Sequence, residues 1–229
     1  MLLTAETATP AQAAARALGL SAVVCRAHME AAARDAKAKE MQDLVLQWLV
    51  RTGAGRALTG EERGLVSSPL GSLEREDRAT AYWRVEQLGV LAWALGRAPL
   101  ARHDESPHDR TLARRVGFLR ADAAAWIVAA ALRSEVELRR YAVRAEAIAA
   151  RLKQFALEEK PLDFKSFCLD QGIADVSFVD DDLEIAGLPL AAAPTRRWQT
   201  ALCAALERDR AARWLIAPRL VAVRQPVDA

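Results

Sequence analysis

The sequence predicts a mainly α protein, a single helical domain with a small β-hairpin inserted before the last helix. Three observations carry this reading. Leu138, Tyr141, Ala145, Ile148, Leu152 and Phe155 recur at alternating steps of three and four, the apolar stripe of one long packed helix. Residues 82–95 are apolar nearly all round, the pattern of a helix buried on every side. Only residues 176–179 and 183–186 read as strands, on either side of the turn Asp180-Asp181-Asp182.

Each element has its own signals. Thr9-Pro10 reads as an N-cap with proline at the first helical position, and Gly19 reads as the stop. Ser21 can cap a second helix through Val24 and His28 and on to Met41, Leu44, Val45 and Trp48, with residues 34–40 on a solvated face and Gly53 and Gly55 at its end. Thr59-Gly60-Glu61-Glu62 fits a capping box for a short helix through Leu65 and Val66. A helix over residues 73–95 follows, stopped by Gly96 and Pro99. Residues 97–110, with two prolines and two histidines, read as a solvated loop. Asp122 can cap a helix holding Trp126 and Ile127, and Ser134-Glu135-Val136-Glu137 is a second capping box. Thr195 caps the last helix, which Pro218 stops. Residues 1–20 thus form an N-terminal helical arm, 21–217 the α-rich domain and 218–229 a C-terminal tail.

Composition narrows the functional classes. The 229 residues are 52% hydrophobic and 27% charged, enough to bury a core and too apolar for disorder. Lys and Arg number 32 against 30 Asp and Glu, a net charge of +2, so neither a polybasic arm nor an acidic tail is present. No apolar run reaches membrane-spanning length, and the N-terminus lacks a signal-peptide pattern, so no membrane association is expected. Cys25, Cys168 and Cys203 are too few and too widely spaced for a disulfide framework or a zinc knuckle, which points to the cytoplasm. The excess of arginine over lysine, with abundant alanine, reads as the codon bias of a GC-rich bacterial genome.

Four blocks carry a resemblance. They are Tyr82-Trp83-Arg84-Val85-Glu86-Gln87-Leu88-Gly89-Val90-Leu91-Ala92-Trp93-Ala94-Leu95-Gly96; the Arg- and Glu-rich segment 132–155; Leu162-Asp163-Phe164 with Asp181-Asp182-Leu183-Glu184-Ile185-Ala186-Gly187-Leu188-Pro189; and Glu207-Arg208-Asp209-Arg210-Ala211-Ala212-Arg213-Trp214-Leu215. Together, over residues 20–217, the chain resembles a bacterial family of uncharacterised proteins, a domain of unknown function. The resemblance implies a shared α-rich fold and no assigned activity. The family often places His after the closing Glu-Arg, where this chain has Asp209.

Two carboxylates need explanation. Asp209 falls amid the apolar face formed by Trp198, Leu202, Ala205, Ala212 and Ile216, and Arg213, one turn on, is its local partner. Glu86 lies inside the buried helix, with Arg139, Arg140, Arg144 or Arg208 as candidate partners. Either carboxylate can be a polar latch. If their helices met, Glu86, Asp209 and Glu207 could also form an acid–base site. The candidate binding residues are Trp83, Glu86, Arg208, Asp209 and Trp214. The six tryptophans, Trp48, Trp83, Trp93, Trp126, Trp198 and Trp214, are expected in the core. His103-Asp104-Glu105-Ser106-Pro107-His108-Asp109 carries metal-ligand atoms without a zinc motif, and the Asp180 turn lacks calcium-loop spacing. No catalytic residue, cofactor or metal is therefore assigned, and Cys25 and His28 are not expected to form a nucleophile–base pair.

Three readings of function compete. The leading one is a non-enzymatic binding module with a possible protein partner. The second is a hydrolase using the buried carboxylates. The third is a nucleic-acid adaptor using Arg114, Arg115, Arg120, Arg133, Arg139, Arg140 and Arg144, which interleaved Glu135, Glu137 and Glu146 weaken. Oligomeric state is open.

Overall fold

A computed structural model describes residues 7–218; the first six residues of the expected arm, and the expected tail from residue 219 on, lie outside the described residues. Among the described residues are nine α-helices and one three-stranded antiparallel sheet placed before the last helix, so the fold is mainly α. The chain divides into two compact units. Of the described residues, one unit holds 9–100 and 107–133, and the other holds 7–8, 101–106 and 134–218. No helix among the described residues is long and apolar enough to cross a membrane.

The first unit is built on α1 (Pro10–Glu30) and α4 (Arg75–Ala94), which pack as a pair. Thr9 caps α1, as its sequence predicts, and Gln12 completes a capping box that the sequence reading did not include. The helix does not stop at Gly19. A Cβ there would stand 2.9 Å from Leu58 Cδ2, so this glycine allows the neighbouring segment to come close. Ser21 does not start a new helix, because its hydroxyl donates to the Ala17 carbonyl one turn back at 2.9 Å. The break comes instead at residues 31–35, where Asp35 caps α2 (Ala36–Thr52). A 3-10 turn (Ala54–Ala57) and α3 (Gly60–Ser67) follow, and Thr59 and Glu62 form the expected capping box.

In α4, every residue from 84 to 92 is buried, which explains why its apolar pattern has no preferred side. Short helices α5 (Asp109–Arg115) and α6 (Ala123–Val128) complete this unit, and the first of them takes up the last two residues of the segment expected to be loop. Trp48 is fully buried, meets Phe118 edge-on at 5.3 Å and donates its indole N–H to the Arg120 carbonyl.

One buried ion cluster ties three helices of this unit. Arg16 donates to both Glu62 oxygens, one of them at 2.7 Å, and Arg84 approaches Glu62 at 3.4 Å. Burial pushes the Glu62 carboxyl upward, but the Arg16 hydrogen bond and charge outweigh it and hold the group below the usual carboxylate range.

The second unit pairs α7 (Glu135–Leu157) with α9 (Thr195–Ile216) over α8 (Phe164–Asp170) and the sheet. All six residues of the predicted stripe on α7 are buried, and Phe155 meets Trp198 edge-on at 5.5 Å. The expected hairpin is a three-stranded meander: β1 (Phe178–Val179), β2 (Asp182–Ile185) and β3 (Leu188–Pro189). Phe178 pairs with Leu183, and Ile185 with Leu188. Both connections have two residues, Asp180-Asp181 and Ala186-Gly187, and all four have positive φ. That is the mark of turns whose twist matches the strands.

Asp182 is not a solvated turn residue. It lies on β2, is 1% exposed and takes a forked pair of bonds from Arg151 of α7 at 2.8 and 2.6 Å. Arg151 also donates to the Lys160 carbonyl at 3.0 Å, so one buried guanidinium fastens α7, the following loop and the sheet.

Candidate functional site

The five residues singled out from the sequence fall in different units. Trp83 and Glu86 are on α4, while Arg208, Asp209 and Trp214 are on α9. Glu86 is buried, at 1% exposure, and Trp83 is half-buried beside the Tyr82 ring. Asp209 is buried and held by Arg213 in a fork, Nε to Oδ1 at 2.9 Å and Nη2 to Oδ2 at 2.7 Å. Arg213 in turn reaches Glu146 of α7 at 3.5 Å. Glu207 bonds Arg210 at 2.6 Å. Arg208 donates to the carbonyls of Arg102 and Glu105, so it holds backbone. Trp214 is half-buried, as are Trp83, Trp93 and Trp126; only Trp48 and Trp198 are buried in full. The core expectation for all six was too strong, because indoles at the outer edge of a packed face keep one side in water.

The loop segment 101–106 is a fastened strap rather than a solvated loop. His103 bonds the Glu184 carbonyl, Asp104 accepts the Ala186 N–H at 2.8 Å, and Arg102 reaches Glu184 at 2.9 Å. Burial pushes the His103 imidazole below its ordinary value. Among the described residues no group of three or more His, Cys, Asp or Glu side chains is placed to hold a metal.

Cys25 and His28 share a face of α1, and His28 Nε2 bonds Asp109 at the start of α5. The Tyr82 ring packs edge-on against the imidazole at 5.7 Å. A thiol, an imidazole and a carboxylate thus lie in one neighbourhood, which spacing along the chain did not reveal. The thiol is not primed for attack: burial and the Asp109 charge both push its pKa up, the reverse of what a nucleophilic cysteine needs.

A different feature has the form of a binding site. A groove of about 500 Å³ is lined by Leu46, Leu49 and Val50 of α2, Leu58 after the 3-10 turn, and Val66 of α3. Its volume lies in the range of ligand pockets. Leu49, Leu58 and Val66 are buried and form the floor, while Val50 is 83% exposed on the open wall. Arg56 and Arg63 also line it, and none of its ten lining residues is acidic. Arg63 is positioned by a bond to the Leu58 carbonyl at 2.9 Å. Gly53 ends α2 with φ of 74°, which turns the chain back to form the second wall. None of the residues chosen from the sequence lies here. The missed signal is in α2, where six of the seven positions from 44 to 50 are apolar, more than one core-facing stripe requires.

No curated protein and no solved structure matches the chain. A family model described as "Domain of unknown function (DUF4272)" matches residues 4–162. That span takes in the whole first unit, the groove and the first two sequence blocks, whereas the third block only begins at its edge and the fourth lies past it. The match covers more than half of the chain, which therefore belongs to this domain-of-unknown-function family.

Proposed function

We propose that the protein is a non-enzymatic binding module whose ligand occupies the groove between α2, the 3-10 turn and α3. The groove itself is the observation that carries this reading: an apolar depression of about 500 Å³ with buried floor and arginine rim. The carboxylate-hydrolase reading loses support because Asp209 is closed off by Arg213 and Glu207 is engaged by Arg210. The nucleic-acid reading loses support because Arg120, Arg139 and Arg144 pair with Asp122, Glu135 and Asp175. The alanine- and arginine-rich composition supports a bacterial source, and three free thiols support the cytoplasm. The first two sequence blocks, which fall inside the family span, support their use as family marks.

The test uses an uncharged apolar fluorophore, N-phenyl-1-naphthylamine, titrated into the full chain and into Val50→Asp. Val50 is exposed, so the substitution puts a charge on the groove wall without disturbing the core. One saturable site that is lost in Val50→Asp is the expected result. Absence of saturation, or equal binding by the variant, would contradict the reading.

A further inference from the structure

We infer that the groove takes an acidic amphipathic helix from a partner protein, with apolar side chains on the Leu46, Leu49, Leu58 and Val66 surface and carboxylates facing Arg56 and Arg63. The inference rests on the groove being the binding site and adds what fills it. Three observations support a helix with carboxylates.

The first is charge. The two side chains at the groove that carry a charge are both arginines, and no carboxylate among the lining residues offsets them. Arg56 is exposed and has no side-chain ion pair among the described residues. Its guanidinium presents a planar fork suited to a carboxylate. The second is the form of the walls. The groove lies between two helices and a 3-10 turn, with no strand edge among its lining residues, so an added strand has nothing to pair with and a helix laid into the groove is the mode that fits. The third is openness. Val50 stands 83% exposed on the wall, so the apolar surface is open on that side and can be reached by a row of side chains.

Rim charges set preference and encounter more than total affinity, so the apolar contacts bind and the arginines select. The opposite preference is built into the same arrangement: a basic helix would place lysines against Arg56 and Arg63 in the absence of a compensating carboxylate.

The experiment is fluorescence anisotropy on the full chain with two labelled synthetic helical peptides. Both carry Leu and Phe at positions i, i+3, i+4 and i+7; one has glutamates on the flanking positions and the other has lysines. The glutamate peptide should bind about tenfold more tightly than the lysine peptide at low salt, with the difference shrinking as salt rises. In Arg56→Glu/Arg63→Glu the preference should vanish or reverse. If Arg63→Glu disturbs the 3-10 turn through its lost bond to Leu58, Arg56→Glu alone should halve the preference or more. Equal binding of the two peptides, or a preference that survives in the variants, would overturn the inference while leaving the groove standing. Displacement of the fluorophore by dodecanoate with no binding of either peptide would assign the site to a small amphiphile and overturn it as well. Loss of fluorophore binding in the unmodified chain would instead remove the groove reading itself.

Discussion

Arg151 and Asp182 form a deeply buried ion pair, 2% and 1% exposed. Removing one member strands the other charge in the core, so Asp182→Ala should cost about 3–5 kcal/mol, read from urea unfolding. A double Arg151→Met/Asp182→Leu change should recover much of that loss. Asp209 is a milder case. Its partner Arg213 has a side chain 44% exposed, so solvent screens the pair and Asp209→Asn should cost about 1–2 kcal/mol. Little of this was visible from residue type alone. The helical period put Asp209 on an apolar face and Arg213 one turn away, and that pair formed because both lie on one helix. Asp182 was misplaced because an Asp-Asp-Asp run reads as a turn, and its partner lies 31 positions away on α7. At Cys25, the carboxylate of Asp109 helps hold the thiol protonated. Asp109→Asn should therefore lower the thiol pKa, measured as a leftward shift in the pH profile of iodoacetamide labelling; an unchanged profile would mean that burial alone sets it.

Among the elements, α7 was legible because its apolar stripe is regular and its capping box is local, and α4 because its second half is apolar nearly all round. Leu91 is 1% exposed on α4, and Leu91→Ala should lower stability by about 2–5 kcal/mol through lost transfer energy and the cavity left behind. The first helix was misread at Gly19 and Ser21 because both residue types usually mark ends, and only the close approach of Leu58 shows why a glycine stands mid-helix. The strap 101–106 was misread for a related reason: its anchors, Glu184, Ala186 and Arg208, are remote in sequence. Its behaviour with pH follows from His103. The ring faces Arg102, Asp104, Glu184 and Arg208, and burial lowers its pKa from 6.5. The unfolded chain binds the proton more readily, so the stability due to the neutral ring is complete above about pH 6.5 and is lost as pH falls towards the lower folded value. The urea midpoint should drop between about pH 7.5 and 5.5, and His103→Gln should flatten that drop. An equal drop in the variant would place the acid sensitivity elsewhere.

Across the whole molecule, the fold class could be read from the sequence and the candidate site could not. Helix periodicity reports which face is buried but not where two buried faces diverge to leave a gap. The groove arises from the chain reversal at Gly53 and from Leu58 seated close to Gly19, and both are matters of packing. Residues chosen as chemically odd, Glu86 and Asp209, proved to be buried, whereas ordinary leucines and valines line the groove. The central claim is that binding occurs there. Its most direct test is amide chemical-shift mapping of the full chain during titration with the glutamate-bearing helical peptide. Shifts should be concentrated at residues 46–67, saturate with the anisotropy and be absent in Val50→Asp. Shifts centred on α4 near Glu86 or on α9 near Asp209, or none at all, would contradict it.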